Sequence, residues 1–168
     1  KVIRRKGLRI AVMGIMDPYA IKFYPDDIKK RIRLSDPVES IKKEMKKLSS
    51  KADIFILLTH QGYDLDVEFA KKIDGLDLIV GSHSQTKIES PKEVNDALIV
   101  QAGKSGYYVG IVEIKTNRGK VVEKSGRIDT MKFDMPDDPR IMKMIEEYES
   151  KTGRMNMRKK KLKEKANG

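Results

Sequence analysis

"ADIFILLTHQGYDLDVEFAKKIDGLDLIVGSH", residues 52 to 83, is the stretch on which the fold turns. It opens and closes with short apolar runs, 52 to 60 and 76 to 83, whose length and bounding turn residues mark buried strands. Between them, residues 64 to 75 carry a short helical pattern. Asp64, Asp66 and Glu68 stand near its start, where the helix dipole favours carboxylates, and Gly75 stops it. Two strands joined through one helix form a right-handed parallel crossover in nearly all proteins, so both strands end at one sheet edge. Each ends in one of the chain's only two histidines, His60 and His83. In layered α/β sheets, ligands gather at that edge. Imidazole is the commonest side-chain metal ligand, but a loop histidine is usually simply solvated; spacing leaves both readings open.

The flanking sequence extends the same pattern. "LRIAVMGIMDP" (8 to 18) reads as a strand and residues 19 to 36 as loop. Residues 36 to 50 read as a helix capped by Asp36, with Pro37 at its first position and Val38, Ile41, Met45 and Leu48 on one face. Strands follow at 97 to 103 and 108 to 116. "NRG" (117 to 119) is a hairpin turn, and residues 120 to 133 return as a strand. Residues 137 to 151 form a last helix, with Ile141, Met144, Ile145 and Tyr148 on one face. A βαβαβ half followed by antiparallel strands predicts an α/β layered sandwich with a mixed sheet. The "QAGKSGYYVG" stretch (101 to 110) reads as packing glycines, not as a phosphate-binding loop, since no helix follows it.

Composition narrows the classes. Of the formal net charge of +11, residues 1 to 7 hold +4 and residues 154 to 168 hold +6. The body is thus nearly neutral. The basic tail lacks interleaved aromatics, so a solvated, disordered tail is expected and not a nucleic-acid or membrane-binding segment. There is no cysteine, which excludes a thiolate nucleophile and a thiolate metal site. No apolar run reaches the ~18 residues of a membrane span, and no export signal is visible.

Residues 52 to 115, with the Thr59-His60 strand end, Gly62, the acidic helix, the Gly81-Ser82-His83-Ser84-Gln85 loop and "LIVQAG", resemble the second half of the calcineurin-like metallophosphoesterase domain. The similarity runs over roughly residues 7 to 130 and is strongest to the 5'-nucleotidase and UDP-sugar hydrolase branch. It implies an α/β/β/α sandwich holding two divalent metals, of unspecified identity among manganese, zinc, magnesium, iron, calcium and cobalt. By resemblance, His60 and His83 ligate one metal and Gln85 the other. Gln85 replaces the superfamily's more usual histidine but matches this branch, and its neutral amide oxygen is a harder ligand than imidazole. The implied chemistry is hydrolysis of nucleotide phosphate esters by metal-activated water. The resemblance also implies export to the periplasm or cell surface.

The family's Asp-x-His, Gly-Asp and Gly-Asn-His motifs have no counterpart here. No catalytic residue is therefore assigned within this chain. The remaining ligands and leaving-group histidine are expected on a missing N-terminal half, upstream on the same chain or on another. The expected organisation is residues 1 to 133 as the C-terminal half of a metallophosphoesterase domain, 134 to 153 as a terminal helix, and 154 to 168 as the basic tail. The alternative is a non-catalytic structural or interaction subunit derived from such a domain. Substrate-binding residues and substrate identity are not legible.

Overall fold

A computed structural model describes residues 1–132 and 134–153; the basic tail from Arg154 lies outside the described residues. The chain divides into two compact units, the first Lys1–Met131 and the second beginning at Lys132. The first holds a six-stranded mixed sheet and a two-stranded hairpin. The sheet contains β1 (Val2–Arg5), β2 (Leu8–Met16), β3 (Ile54–His60), β4 (Leu78–Val80), β5 (Lys92–Val94) and β6 (Ala97–Val100), in the order β1-β2-β3-β4-β6-β5. The central strands β2, β3, β4 and β6 run parallel, while β1 and β5 pair antiparallel at the edges.

Helices α2 (Pro37–Leu48) and α3 (Tyr63–Lys72) form the crossovers. Asp36 caps α2 by accepting a hydrogen bond from the Glu39 amide at 2.8 Å. On one sheet face, Leu57, Ile79 and Ile99 pack with Ile41 of α2, with Phe69 and Ala70 of α3, and with Ile73 and Leu76 beyond it. The other face carries Leu78, Val80 and Val100, which meet the hairpin of β7 (Tyr108–Asn117) and β8 (Lys120–Thr130) across an apolar hollow of about 290 Å3. Arg118 and Gly119 turn the hairpin, both with positive φ (49° and 80°), as a two-residue turn of the primed type demands.

The mixed α/β class read from the sequence is the one found. Two edge strands were not anticipated. Val2–Arg5 is dominated by charge, and Lys92–Val94 is only three residues long. Each gains its conformation by pairing with a long or buried neighbour. Nor is the segment after β2 all loop: a 3-10 helix (Pro18–Phe23) and the single-turn α1 (Asp26–Lys29) lie in it. In the second unit, α4 (Pro139–Thr152) starts at the Asp138 cap and ends at Gly153, whose φ of 64° is left-handed.

Arg9 and Asp53 fix the register of β2 against β3 at their starting ends. The guanidinium meets the carboxylate through Nη2 to Oδ1 at 2.5 Å and Nε to Oδ2 at 3.1 Å. The Arg9 amide also donates to Oδ2 at 2.8 Å, and the Asp53 amide donates to the Arg9 carbonyl at 2.7 Å. The bonds from the Arg9 guanidinium, and then from its amide, pull the Asp53 carboxyl from an ordinary 3.8 to about 2. A depressed carboxyl stabilises the fold above its unfolded pKa and loses that contribution as pH falls through the folded value. The expected outcome is that Asp53→Asn removes part of the fall in melting temperature between pH ~4 and ~2. Parallel acid-melting profiles for the two proteins would contradict it.

Candidate metal centre

The parallel pairing of β3 with β4 brings both histidines to the carboxyl edge of the sheet. His60 is the last residue of β3. His83 stands three residues beyond β4, in the loop opened by Gly81. The rings meet edge to face, with centroids 5.0 Å apart, and His60 Nε2 lies 3.3 Å from His83 Nδ1. Both residues are exposed.

That nitrogen separation matches the edge of a tetrahedron with metal–nitrogen bonds of ~2.0–2.1 Å, which is about 3.3–3.4 Å. The same separation is that of a hydrogen bond between the two rings, so the distance alone is compatible with either a shared cation or a direct ring contact. As a cation site, the pair has an incomplete donor set. No group of three or more His, Cys, Asp or Glu among the described residues is placed to hold a metal. Two rings and an amide also bring no negative charge to balance a dication. Gln85 lies in the same loop, two residues past His83.

The loop's backbone is unusual. His83 has φ 83° and Gln85 φ 56°, both in the left-handed region where a side chain costs about 1–2 kcal/mol. Buried polar groups beneath it hold this shape. Gln101, the first residue after β6, is 4% exposed. Its amide oxygen accepts from the Ser84 hydroxyl at 2.9 Å and from the Thr86 amide at 2.5 Å. The Ser84 hydroxyl in turn accepts from the Tyr63 amide at 3.1 Å, which ties the loop to the start of α3. The Gly62 amide donates to the Ser82 carbonyl at 3.0 Å, and the Gly81 amide to the Val100 carbonyl at 2.8 Å.

Asp66 lies under the same loop. It is fully buried, and its Oδ1 accepts from the Gln61 amide nitrogen at 3.0 Å. Burial pushes its carboxyl above the usual range, partly opposed by the nearby Thr59 hydroxyl and the Gln61 amide. Asp66 Oδ2, Thr59 Oγ1 and Gln101 Nε2 are all buried without a well-aligned partner among the described residues. Sequence reading placed Asp66 only in a helix-dipole role and passed over Gln101. A signal was present: Asp66, Phe69, Ala70 and Ile73 fall at i, i+3, i+4 and i+7, so a carboxylate occupies the buried stripe. Gln101 is likewise a polar residue terminating the buried "ALIV" run.

The chain is similar to several known proteins. Over 110 residues it is 36% identical to the uncharacterized metallophosphoesterase YunD of Bacillus subtilis, an alignment covering 66% of this chain and 23% of that protein. It is 26% identical over 187 residues to the 5'-nucleotidase of Bos taurus, covering 89% of this chain and 33% of the other. The crystal structure of a 5'-nucleotidase precursor from Thermus thermophilus superposes with a TM-score of 0.76 at 25% identity, over 89% of this chain and 33% of that one. No family model matches. The chain belongs to the 5'-nucleotidase branch of the calcineurin-like metallophosphoesterases, as its C-terminal part. It spans about a quarter to a third of the length of these relatives.

Gly81 shows how tightly the loop is packed. A methyl group there would overlap Asp66 Oδ2 and press on Gln101 Nε2 at 3.1 Å. Both contacts are buried, so neither side chain can swing into solvent. Gly81→Ala is expected to destabilise the fold by about 1–3 kcal/mol, as overpacking does. Urea unfolding with an unchanged midpoint would refute this.

Proposed function

We propose that this chain supplies one part of a two-metal phosphoesterase site acting on nucleotide phosphate esters. The carrying observation is the 3.3 Å approach of His60 Nε2 to His83 Nδ1 at the carboxyl ends of adjacent parallel strands. In this reading the two imidazoles hold one divalent cation and Gln85 contributes its amide oxygen to a second. The neutral amide favours a harder cation than a third imidazole would. When bound, such cations polarise phosphoryl oxygens and acidify an attacking water. In this reading the chain's own contribution is to hold the two rings 3.3 Å apart and to present them at an open edge.

The uncovered face of the sheet supports a missing half. Val12, Gly14 and Met16 on β2 pair with Ile56, Leu58 and His60 on β3, so all six share the hairpin-side face. Beyond the hairpin's reach, Met16 is 53% exposed and Leu58 45%. A contiguous apolar face of this kind marks an interface. The proposed occupant is the N-terminal half of the domain, on the same or another polypeptide. It would bring the carboxylates that the histidine pair lacks. Nucleotide substrates are supported by the 5'-nucleotidase relatives, and location in the periplasm or at the cell surface by the same kinship. No helix among the described residues is long and apolar enough to cross a membrane.

In the complete assembly, His60→Ala and His83→Ala are each expected to lose at least half of the bound divalent metal by elemental analysis. Nucleotide hydrolysis should fall 10²-fold or more, in line with loss of a Lewis acid worth several kcal/mol. Wild-type metal content in both variants would sink the proposal and leave the non-catalytic interaction subunit as the reading.

A further inference from the structure

The loop from Gly81 to Thr86 has no regular secondary structure to hold it. It nevertheless places two non-glycine residues, His83 and Gln85, in left-handed backbone conformations. Such conformations persist where surrounding contacts over-determine them. Here one side chain makes the decisive contacts. The Gln101 amide oxygen receives a hydrogen bond from Ser84, immediately before Gln85, and another from Thr86, immediately after it. Gln85 is thus bracketed by two bonds to a single buried atom. Ser84 also immediately follows His83, so the same atom restrains both candidate ligands.

The polarity of this arrangement is fixed from below. With Oε1 occupied by two donors, the Gln101 amide must direct Nε2 the other way. It closes on the same point beside Gly81 as Asp66 Oδ2, and both atoms are buried. Asp66 Oδ2 and Gln101 Nε2 make no well-aligned bond, but an acceptor oxygen at that point favours the orientation in which Gln101 turns its nitrogen inward and its oxygen toward the loop. The other Asp66 oxygen holds Gln61, the residue after His60. One buried carboxylate and one buried amide therefore underlie both histidine-bearing strand ends.

We infer that Gln101 is a positioning residue for the metal centre, clamping the His83–Gln85 turn through its amide oxygen, and that Asp66 sets the orientation of that amide. The inference rests on the ligand reading of His83 and Gln85 given above. Neither Gln101 nor Asp66 touches a metal in it. Their effect is on the geometry of the ligands before any cation arrives. Supporting groups of this kind typically change metal affinity by 10–100-fold when removed.

The test uses the complete protein that carries this chain, stripped with a chelator and titrated with Zn2+ in a calorimeter. Amide hydrogen exchange at Thr86 is followed in parallel on the metal-free form. Gln101→Leu keeps bulk and apolar packing while removing the clamp. It is expected to weaken Zn2+ binding 10–100-fold and to speed Thr86 exchange at least tenfold. Gln101→Glu alone sets two carboxyls against each other beside Gly81. Adding Asp66→Asn restores a donor facing an acceptor, so the pair Asp66→Asn/Gln101→Glu should recover most of the Thr86 protection and most of the affinity. This double variant also serves if Gln101→Leu does not fold. Unchanged Thr86 exchange or wild-type Zn2+ affinity in Gln101→Leu overturns the inference, as does a double variant no better than Gln101→Glu. Unchanged Zn2+ binding in His83→Ala is a separate failure, which overturns the ligand reading and this inference with it.

Discussion

The parallel pairing of β3 with β4 is the constraint on which the rest depends. Two parallel neighbours must be joined by a crossover, and their carboxyl ends then lie side by side. The crossover helix α3 covers one face through Phe69 and Ala70, with Ile73 just beyond it, while its first turns rise directly beneath the strand ends. That single topological fact brings His60 within 3.3 Å of a histidine 23 residues away. It also puts the start of α3 under the Gly81–Thr86 loop, so a buried residue at 66 can touch both. Packing and site geometry share one cause.

Much of this was readable in the chain. The apolar runs at 52 to 60 and 76 to 83, with a short amphipathic helix between them, admit few topologies, and they place both histidines at the carboxyl edge of the sheet. The cap at Asp36 and the turn at Arg118-Gly119 follow from local chemistry that tertiary contacts do not override, whereas α3 ends at Lys72 with Ile73 extended, before the Gly75 expected to stop it. The two edge strands were not readable. Val2–Arg5 is a strand because it pairs with Leu8–Ala11 across the tight turn at Lys6-Gly7, and nothing in the run Val-Ile-Arg-Arg announces that partner. Lys92–Val94 is equally short of local signal. In both cases the determining interaction is with a neighbour's backbone, which a hydrophobic pattern does not record.

The polar layer beneath the loop was harder still. A carboxylate near a helix start is ordinarily exposed, where it interacts with the dipole at little cost. Asp66 is instead buried, and a buried carboxylate is tolerated only where other groups compensate it. Burial already raises its affinity for a proton. Its hydrogen bond comes from Gln61, while the buried amide of Gln101, 35 positions away in the sequence, lies beside it without a well-aligned bond. Only the folded chain shows that Asp66, Gln101 and Gly81 meet, and that Gly81 is glycine because an oxygen atom occupies the place of its side chain.

The same geometry explains why the site looks the way it does from outside. His60 shares its sheet face with Met16 and Leu58, while Thr59 points to the opposite, helix-covered face with Asp66. The strand alternation thus separates two tasks at one strand end. One face secures the loop through buried polar groups, and the other presents imidazoles beside an apolar surface. Two imidazoles beside uncovered Met and Leu side chains, with no carboxylate among them, form a poor resting place for a dication in isolation. A partner that covered those apolar side chains would exclude water from the rings. If it also carried carboxylates, it would supply the missing charge in the same docking event. Completion of the sheet packing and completion of the metal's coordination would then be one step, and each would stabilise the other.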